Sequence, residues 1–274
     1  MTPVRCAVWG SPIAHSLSPV LHRAAYAALG LTDWTYERRE VDEGSFDEAF
    51  RALDDSWRGL SLTMPLKEAA LAAADQVTDT AAETGAANTL VRSDAGWTAH
   101  NTDVHGIQVA LREAGCLTPS HALLLGSGAT ARSAVAALAA AGTRRITFMV
   151  RDRVRPETLD QAGRAGLEVA QVSMGQWLPA DVVISTVPPH VVGGLPDFPP
   201  ATQTGGQVLL DVVYGSGRTP LQEAAAAAGW VIQEGTAMLL HQATEQVRLM
   251  TGRPAPLAAM RAALAAALAQ RSAG

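Results

Sequence analysis

Strand-like and helix-like segments alternate along almost the whole chain, and this alternation restricts the possible folds more than any other feature. A strand over Val4–Gly10 is followed by a helix over Pro19–Leu29, in which apolar residues recur at helical spacing. The same order restarts in the middle of the chain at the buried strand His121–Leu125. Such alternation is typical of α/β proteins whose sheets are mostly parallel. The last segments predict only two helices, Thr236–Thr251 and Pro256–Gln270.

The two runs of alternating segments predict two α/β units, at about residues 1–102 and 103–234. The pattern alone does not say which unit the two final helices pack against. Within the first unit we expect an antiparallel hairpin formed by Thr89–Arg92 and Trp97–His100. The stretch Ser45-Phe46-Asp47-Glu48 has the spacing of a capping box, which predicts that a helix begins at its serine.

Composition narrows the classes of function. Hydrophobic residues make up 48% of the 274 residues and charged residues 17%, which excludes a mainly disordered chain. The formal net charge of −5 argues against nucleic acid or an anionic membrane surface as principal partner. Cys6 and Cys116 have neither disulfide-framework nor metal-ligand spacing. Because we find no signal peptide and no membrane-spanning run, we expect a soluble, cytoplasmic protein. We expect no metal, since no set of His, Cys, Asp and Glu residues has metal-ligand spacing.

A glycine turn stands between the strand His121–Leu125 and an alanine-rich helix. The turn, Gly126-Ser127-Gly128-Ala129-Thr130-Ala131, has the dinucleotide-binding form with alanine at its third position. The first glycine allows a tight turn, the second lets the backbone approach a pyrophosphate, and Ala131 lets strand and helix pack closely. Alone the pattern is weak, but the next strand ends about 20 residues later, as a dinucleotide-binding fold requires.

Basic residues follow that next strand, Arg145–Val150. They are Arg151, Arg153 and Arg155, and Asp152 separates the first two. An acidic residue at this place favours a bare ribose, whereas arginine favours a ribose with a 2′-phosphate. Since three guanidinium groups outweigh one carboxylate, the sequence favours NADP, with NAD possible.

Polar residues cluster in four short stretches of the first hundred or so residues. Ser16 and Ser18 follow the first strand, where parallel sheets bind ligands, and helix capping explains one serine better than two. Lys67 lies in the first turn of a helix, where the helix dipole disfavours a cation. Such a violation hints at function, although a lysine that points to water is the alternative. Gly85–Thr89 and His100–Asp103 place Asn and Asp at boundaries of elements, where they also serve as caps.

On these motifs the sequence resembles the shikimate dehydrogenase family over essentially its whole length. The matching stretches are Ser16-Leu17-Ser18-Pro19, Thr63-Met64-Pro65-Leu66-Lys67, Gly85-Ala86-Ala87-Asn88-Thr89, Asn101-Thr102-Asp103, Gly126–Ala131, Asp211-Val212-Val213-Tyr214, Thr219-Pro220-Leu221, and Met238-Leu239 with Gln242. The resemblance implies reversible NADPH-dependent reduction of 3-dehydroshikimate to shikimate, on the route to chorismate and the aromatic amino acids. It also implies a substrate-binding domain formed by residues 1–102 and 235–274, onto which the last helices return, and a Rossmann-type NADP-binding domain formed by residues 103–234.

The resemblance further implies roles for individual residues. Ser16 and Ser18 would hold the substrate carboxylate, and Thr63, Asn88, Asp103 and Gln242 would contact its hydroxyl groups. Lys67 and Asp103 would form the catalytic pair at the substrate, with Tyr214 near both the nicotinamide and the substrate. The residues implied at the cofactor are Gly126, Ser127, Gly128, Ala129, Thr130, Ala131, Arg151, Thr186, Val213 and Gly235. A lysine ammonium beside a ketone can stabilise and protonate the alkoxide that hydride transfer leaves.

Alternatives to this interpretation stay open. Val150 replaces an asparagine that often precedes the arginine in NADP-using members, and Asp152 replaces a small hydroxyl residue, so NAD is a possible cofactor. The same reaction could act on quinate or an aminated shikimate analogue, although the paired serines favour shikimate. A non-catalytic shikimate-binding regulatory module is a further alternative, against which Lys67 and Asp103 argue. The sequence is compatible with a monomer or a homodimer.

Overall fold

The chain folds into a mixed α/β structure, as the sequence predicts. The computed structural model describes residues 3–192, 198–202, 206–215 and 217–273. It divides into two compact units, one of residues 1–102 and 242–274 and the other of residues 103–241. The sequence predicts a boundary between residues 234 and 235. In the structure the boundary lies after residue 241, because the segment 235–241 has its contacts in the second unit.

The first unit is built around a mixed sheet. Its described strands are β1 (Val4–Gly10), β2 (Trp34–Glu40), β3 (Trp57–Leu62), β4 (Gln76–Val77), β5 (Thr89–Ser93) and β6 (Gly96–His100). They lie side by side in the order β2-β1-β3-β5-β6-β4. β1 is parallel to both of its neighbours, and β5 and β6 form the predicted antiparallel hairpin. The helices between these strands are α1 (Ser18–Ala28), α2 (Glu43–Arg51), α3 (Lys67–Ala73) and α4 (Asp79–Thr84).

An apolar cluster covers one face of this sheet. Its Trp9 side chain is fully buried and meets the rings of Phe46 and Trp57 edge-on, with centroids 6.2 and 6.1 Å away. Edge-on aromatic pairs add about 0.5–1.5 kcal/mol each beyond the burial of their surface. Strand side chains alternate between faces, so Ser61, between two leucines of the cluster, projects from the opposite face. That opposite face therefore brings polar groups into the interior.

The second unit is built around a parallel sheet. Its described strands are β7 (His121–Leu125), β8 (Arg145–Val150), β9 (Glu168–Ser173), β10 (Val182–Ser185), β11 (Val208–Asp211) and β12 (Val231–Glu234). Their order is β12-β11-β10-β7-β8-β9, and every neighbouring pair is parallel. This is the doubly wound order, in which the direction of winding reverses between β7 and β10. The helices of this part of the chain are α5 (Asp103–Glu113), α6 (Ala129–Ala140), α7 (Pro156–Arg164), α8 (Pro189–Val192) and α9 (Pro220–Ala227).

The central strands of this sheet are buried on both faces. Leu124 belongs to an apolar cluster on one face together with Phe148, while Leu123 and Leu125 belong to a second cluster on the other face with Met149. A strand that is covered on both sides has no polar face, which explains the apolar run from Ala122 to Leu125 in β7.

Two helices complete the chain, α10 (Gly235–Thr251) and α11 (Leu257–Ala273). The part of α10 from Gln242 onward and all of α11 belong to the first unit, which confirms the predicted return of the last helices. Gly59 on β3 permits the close approach of α10, because a Cβ there would lie 2.7 Å from Cγ of Met250. The Arg58 guanidinium donates a hydrogen bond of 3.0 Å to the Met250 carbonyl, and α11 packs against α1.

The capping-box prediction at Ser45 was wrong. The helix α2 begins at Glu43, and its N-cap is Asp42, whose carboxylate accepts a hydrogen bond of 2.9 Å from the Ser45 amide. The Ser45 hydroxyl in turn accepts from the Asp42 amide at 3.2 Å, so Ser45 occupies the third helical position of a capping box. Aspartate is as good an N-cap as serine. Asp42, three residues before Ser45, therefore takes the N-cap position, and the helix begins at Glu43.

Both cysteines are buried free thiols. Burial raises the pKa of Cys6 to about 12 and that of Cys116 to about 11, so both stay protonated at neutral pH.

Across the described residues we find no group of histidine, cysteine and carboxylate side chains that could hold a metal ion. In the same part of the chain, every helix is too short or too polar to cross a membrane.

His22 on α1 lies in the polar interior of the first unit. Its ring stacks on that of Tyr36, with centroids 3.9 Å apart, and Nε2 lies 3.2 Å from Oε1 of Gln246. Burial lowers the pKa of His22 to about 3, because the charged imidazolium cannot be hydrated there. The ring is therefore neutral at physiological pH.

This burial predicts a pH dependence of stability. In the unfolded chain His22 becomes protonated below about pH 6.5, whereas in the folded chain it becomes protonated only near pH 3. The stabilising contribution of the neutral ring is therefore present above pH 6.5 and is lost as the pH falls. Between pH 7 and pH 5 the loss through this residue is about 2 kcal/mol of the free energy of unfolding.

A His22→Gln variant lacks this titration, so its free energy of unfolding should fall by about 2 kcal/mol less over the same pH interval. Urea denaturation followed by tryptophan fluorescence measures this quantity, since Trp9, Trp34, Trp57 and Trp97 lie in the first unit and only Trp177 and Trp230 in the second. Equal pH slopes in the parent and the variant would contradict the prediction.

Candidate active site

Two loops meet at the carboxyl ends of the neighbouring strands β1 and β3. Each contains a cis peptide bond, at Ser11–Pro12 and at Met64–Pro65. The Ser11 amide donates a hydrogen bond of 2.9 Å to the Met64 carbonyl. A Cβ on Gly10 would collide with the Thr63 methyl group and would lie 2.8 Å from the Met64 oxygen, so the residue between them has no room for a side chain. The loop with the two serines and the turn with Lys67 are thus packed together.

Ser16 and Ser18 are both buried, each with 5% of its surface exposed. The N-cap position of α1 is Leu17, and no side chain caps this helix. The Ser16 hydroxyl accepts a hydrogen bond of 3.3 Å from the Ser18 amide, which closes a local turn. Helix capping in its usual form therefore explains neither serine.

Asn88 is the centre of a buried hydrogen-bond cluster. Its side-chain oxygen accepts from the Thr102 amide at 2.8 Å and from the Thr89 hydroxyl at 2.9 Å. Its side-chain nitrogen donates to the Thr102 hydroxyl at 2.9 Å and to Oε1 of Gln242 at 3.4 Å. Because a backbone amide can only donate, the bond to Thr102 fixes which end of the Asn88 amide is oxygen. The structure therefore brings two of the predicted substrate residues, Asn88 and Gln242, into direct contact.

Gln246 is a further buried residue of this cluster that the sequence analysis does not identify. It lies one helical turn after Gln242 on α10, with 1% of its surface exposed. Its nitrogen donates to the Thr89 hydroxyl at 2.9 Å and to the Asn88 carbonyl at 3.3 Å, and its oxygen accepts from the Ser61 hydroxyl at 2.8 Å. The only sequence signal was its spacing of four residues from Gln242, which places both on one helix face.

Asn101 contacts the turn that follows α4. Its side chain donates to the Thr84 hydroxyl at 2.9 Å and to the Ala86 carbonyl at 3.0 Å, so it braces the turn before Asn88. Asp103, by contrast, is the first residue of α5 and of the second unit, and it is buried, with 5% of its surface exposed.

Lys67 is the first residue of α3 and is half-buried. Its carbonyl accepts a hydrogen bond of 2.8 Å from the Ala87 amide, which connects the turn 63–67 to the segment that carries Asn88. Of the 21 lysine and arginine residues of the chain, 20 are arginine and Lys67 is the single lysine. An ammonium can give up a proton and regain it, whereas a guanidinium is always protonated in proteins. The chain thus has its one exchangeable side-chain ammonium at the predicted catalytic position.

The glycine turn of the second unit follows β7 at the point where the sheet winding reverses. Gly126 has φ of +97°, and a Cβ there would lie 2.8 Å from the Thr186 hydroxyl, so both backbone and space require glycine. Gly128 is the N-cap of the helix α6 and has ordinary extended backbone. No described atom lies within 4 Å of where its Cβ would be, so packing within the protein does not demand glycine there. Its small size leaves the helix N-terminus open to an anionic group.

A cleft of about 550 Å³ opens beside this turn. Its lining residues include the turn residues Gly126, Ser127 and Gly128, Val150 at the end of β8, the basic segment Arg151, Asp152, Arg153 and Arg155, and Thr186 after β10. The Ser127 hydroxyl accepts from the Arg155 amide at 3.2 Å, which connects the turn to the basic segment. Three guanidinium groups and one carboxylate therefore border one cleft, with the open N-terminus of α6 at its side.

The remaining predicted cofactor residues lie at two other places. Ala129, Thr130 and Ala131 form the first turn of α6, and Ala131 is fully buried. Val213 follows β11 and Gly235 begins α10; neither is among the residues that line the cleft described above. A Cβ on Gly235 would collide with the Val212 carbonyl, so the chain segments at these two positions touch.

Asp211 organises the loop that carries Tyr214. Its carboxylate accepts from the Thr219 hydroxyl at 2.8 Å and from the Val213 amide at 3.3 Å. Burial raises the pKa of Asp211 above its usual value, and these hydrogen bonds partly offset that effect. Tyr214 itself is half-buried.

Two family models match the chain. One describes the shikimate dehydrogenase substrate binding domain and matches residues 8–90, and the other describes the shikimate 5'-dehydrogenase C-terminal domain and matches residues 235–265. Both matched segments include predicted substrate residues, with Ser16, Ser18, Thr63, Lys67 and Asn88 in the first and Gln242 in the second.

Whole-chain relatives agree with the family models. Shikimate dehydrogenase (NADP(+)) of Methanothermobacter thermautotrophicus is 36% identical over 272 residues, which cover 94% of each chain. The crystal structure of Mycobacterium tuberculosis shikimate dehydrogenase superposes with a TM-score of 0.85 at 43% identity, covering 97% of this chain and all of that one. Shikimate 5-dehydrogenase of Thermus thermophilus, solved with NADP(H) and shikimate, has a TM-score of 0.77 at 30% identity, covering 97% and 100%. The chain therefore belongs to the shikimate dehydrogenase family.

Proposed function

We propose that this protein catalyses the reversible NADPH-dependent reduction of 3-dehydroshikimate to shikimate. Family membership over essentially the whole chain supports this reaction. The observation that carries the proposal is Lys67, the single lysine among 21 basic residues, which stands at the start of α3 beside the buried Asn88 cluster. Where charge alone is needed this chain uses arginine, so a lysine at that place points to proton transfer.

The first unit supplies the groups that a polyhydroxylated ring acid requires. We assign the buried hydroxyls of Ser16 and Ser18 to the substrate carboxylate, since hydroxyl donors bind a carboxylate without adding charge. We assign Thr63, Asn88 and Gln242 to the ring hydroxyls, because hydroxyl and amide groups both donate and accept. The contact between Asn88 and Gln242 supports a shared recognition surface for neighbouring hydroxyls.

The second unit fits NADP. The open N-terminus of α6 at Gly128 suits a pyrophosphate, and the arginines of the cleft suit a ribose 2′-phosphate. We assign the 2′-phosphate to Arg151, with Arg153 and Arg155 adding positive charge at the same edge. Asp152 at the same edge favours a bare ribose but is outweighed by the three arginines, so NAD is the weaker cofactor.

Proton transfer is assigned to the first unit. NADPH, when bound, supplies a hydride to the carbonyl carbon of the substrate. The Lys67 ammonium stabilises the negative charge that develops on the carbonyl oxygen and gives it a proton, which completes the hydroxyl group. We assign to the Asp103 carboxylate the orientation of this ammonium, and to Tyr214 a position near the reacting groups. The pairing of Lys67 with Asp103 is a proposal from the family resemblance.

The alternatives have less support. Quinate and aminated analogues do not occur in the names of the relatives given above, all of which are shikimate dehydrogenases. A binding module without turnover would not need a single lysine in a chain of arginines. A cytoplasmic location, and a monomer or homodimer as the assembly, stay predictions of the sequence.

Steady-state kinetics test the proposed function. We expect the largest kcat/KM for the pair of shikimate and NADP⁺ when shikimate and quinate are each assayed with NADP⁺ and NAD⁺. NADP⁺ should exceed NAD⁺ by about tenfold or more, since a charge-assisted contact to the phosphate contributes about 1.5–3 kcal/mol. A larger kcat/KM for quinate than for shikimate would make quinate the proposed substrate. Shikimate binding in calorimetry without turnover would favour the regulatory module.

Replacement of Lys67 tests proton transfer. A Lys67→Ala variant should lose about 10²–10⁴-fold in kcat, with much less change in the affinity for shikimate. A Lys67→Arg variant should lose a similar factor although it keeps the positive charge, because arginine does not release its proton at this pH. An unchanged kcat in Lys67→Ala would remove the residue from the mechanism, and an active Lys67→Arg variant would reduce its role to charge.

Replacement of Arg151 tests the 2′-phosphate contact. An Arg151→Ala variant should raise KM for NADPH by about 10- to 100-fold and leave KM for NADH nearly unchanged, since NADH lacks the phosphate. Arg164→Ala is the matched control, because Arg164 is exposed on α7 and does not line the cleft. Equal NADPH kinetics in Arg151→Ala and the control would refute the contact.

A further inference from the structure

A relay of hydrogen bonds lies inside the first unit, on the face of the sheet opposite the tryptophan cluster. It runs from Tyr36 to Ser61 at 2.6 Å, from Ser61 to Gln246 at 2.8 Å, from Gln246 to Thr89 at 2.9 Å, and from Thr89 to Asn88 at 2.9 Å. Each of these side chains is buried, with at most 3% of its surface exposed. We call this series, Tyr36–Ser61–Gln246–Thr89–Asn88, the amide relay.

Backbone groups fix the direction of the amide relay at its centre and at its end. The Asn88 carbonyl can only accept, so the group of Gln246 that faces it at 3.3 Å is the NH₂ group. The oxygen of Gln246 must therefore face Ser61 and His22. Thr89 accepts from Gln246 and so donates its own hydrogen to the Asn88 oxygen, which leaves the Asn88 nitrogen directed at Gln242.

Gln246 thereby acts on both of the amides assigned to the substrate. Through Thr89 it supports the orientation of Asn88, and through α10 it holds Gln242, one turn earlier on the same helix face, against Asn88. Apolar contacts already dock this helix, since Met250 packs on Gly59. Burying a primary amide costs free energy that an apolar side chain would not, so docking alone does not account for glutamine here. Polar groups of this kind specify one register among several close ones.

We propose that Gln246 is a positioning residue that sets the Asn88 and Gln242 amides for recognition of substrate hydroxyls. It does not touch the substrate itself. The proposal rests on the assignment of Asn88 and Gln242 to shikimate in the proposed function. Its expected signature is weaker shikimate binding with little change in kcat, because Asn88 and Gln242 are assigned to substrate recognition and not to proton transfer.

Two variants of Gln246 test this role. Gln246→Met keeps the length and removes the polar groups, and Gln246→Glu keeps the shape but replaces the donor that faces Thr89 and the Asn88 carbonyl with an acceptor. Titration calorimetry of the full chain with shikimate should give a Kd about tenfold or more above the parent for both variants. The Kd for NADP⁺ should stay within about twofold, and kcat should change far less than KM.

A matched control separates positioning from loss of stability. Phe46→Leu weakens the apolar cluster on the opposite face of the same sheet and should lower the melting temperature without a change in the Kd for shikimate. Unchanged Kd values in both Gln246 variants would overturn the proposal. It would equally be overturned if Phe46→Leu raised the Kd as much as they do.

A second pair of variants covers the case in which the Gln246 variants do not fold. Thr89→Val removes the hydroxyl that links Gln246 to Asn88 but keeps the branched shape, and Thr89→Ser keeps the hydroxyl. We expect Thr89→Val to raise the Kd for shikimate and Thr89→Ser to restore it towards the parent value. Equal Kd values in this pair would refute the amide relay.

The binding measurement also separates this inference from the proposed function. A parent protein that binds shikimate but does not oxidise it with NADP⁺ would refute the proposed function alone, and the Kd comparison would still decide the role of Gln246. A parent that does not bind shikimate would refute both. A parent that oxidises shikimate, with Gln246 and Thr89 variants of unchanged Kd, would refute the positioning role alone.

Discussion

A buried amide must have hydrogen-bond partners, and much of the first unit is arranged around meeting this requirement at Asn88. Its oxygen and nitrogen are satisfied by Thr89, the next residue in the chain, by the backbone at Thr102, and by Gln242 on α10. An unpaired buried amide costs about 1–3 kcal/mol, so losing these partners would destabilise the unit. The return of the C-terminal helices to this unit thus provides more than apolar cover, because it brings the glutamines that complete the cluster.

The second unit depends on a different constraint, which is the space around the backbone of the glycine turn 126–131. Gly126 is required by its positive φ and by Thr186, whereas at Gly128 no protein atom competes for the space of a side chain. The contrast distinguishes a glycine that the fold needs from a glycine that leaves room for a ligand. The open space at Gly128 and the arginines of the adjoining cleft both suit a phosphorylated dinucleotide. They agree with the family membership in the unit where the sequence departs from the family pattern.

Prediction from sequence succeeded where the pattern allowed one interpretation and failed where it allowed two or gave no signal. The strands His121–Leu125 and Arg145–Val150 have the predicted bounds. Both faces of these strands are covered, so each strand ends at the last buried apolar residue. The start of α2 was misplaced, because Asp42 and Ser45 both suit an N-cap and only the folded backbone chooses between them. Gln246 was missed, because a polar residue within a helix is usually exposed and nothing local marks it as buried.

The sequence by itself determined the alternation of strands and helices, the glycine turn, and the polar motifs that carry the resemblance to the shikimate dehydrogenase family. These depend on residue type and spacing, which act over a few residues at a time. Only the tertiary structure decided that Gln242 and Gln246 meet Asn88, Thr89 and Ser61. Those contacts join residues more than 150 positions apart, and pairing at that distance is set by how α10 packs on the sheet and not by any local pattern.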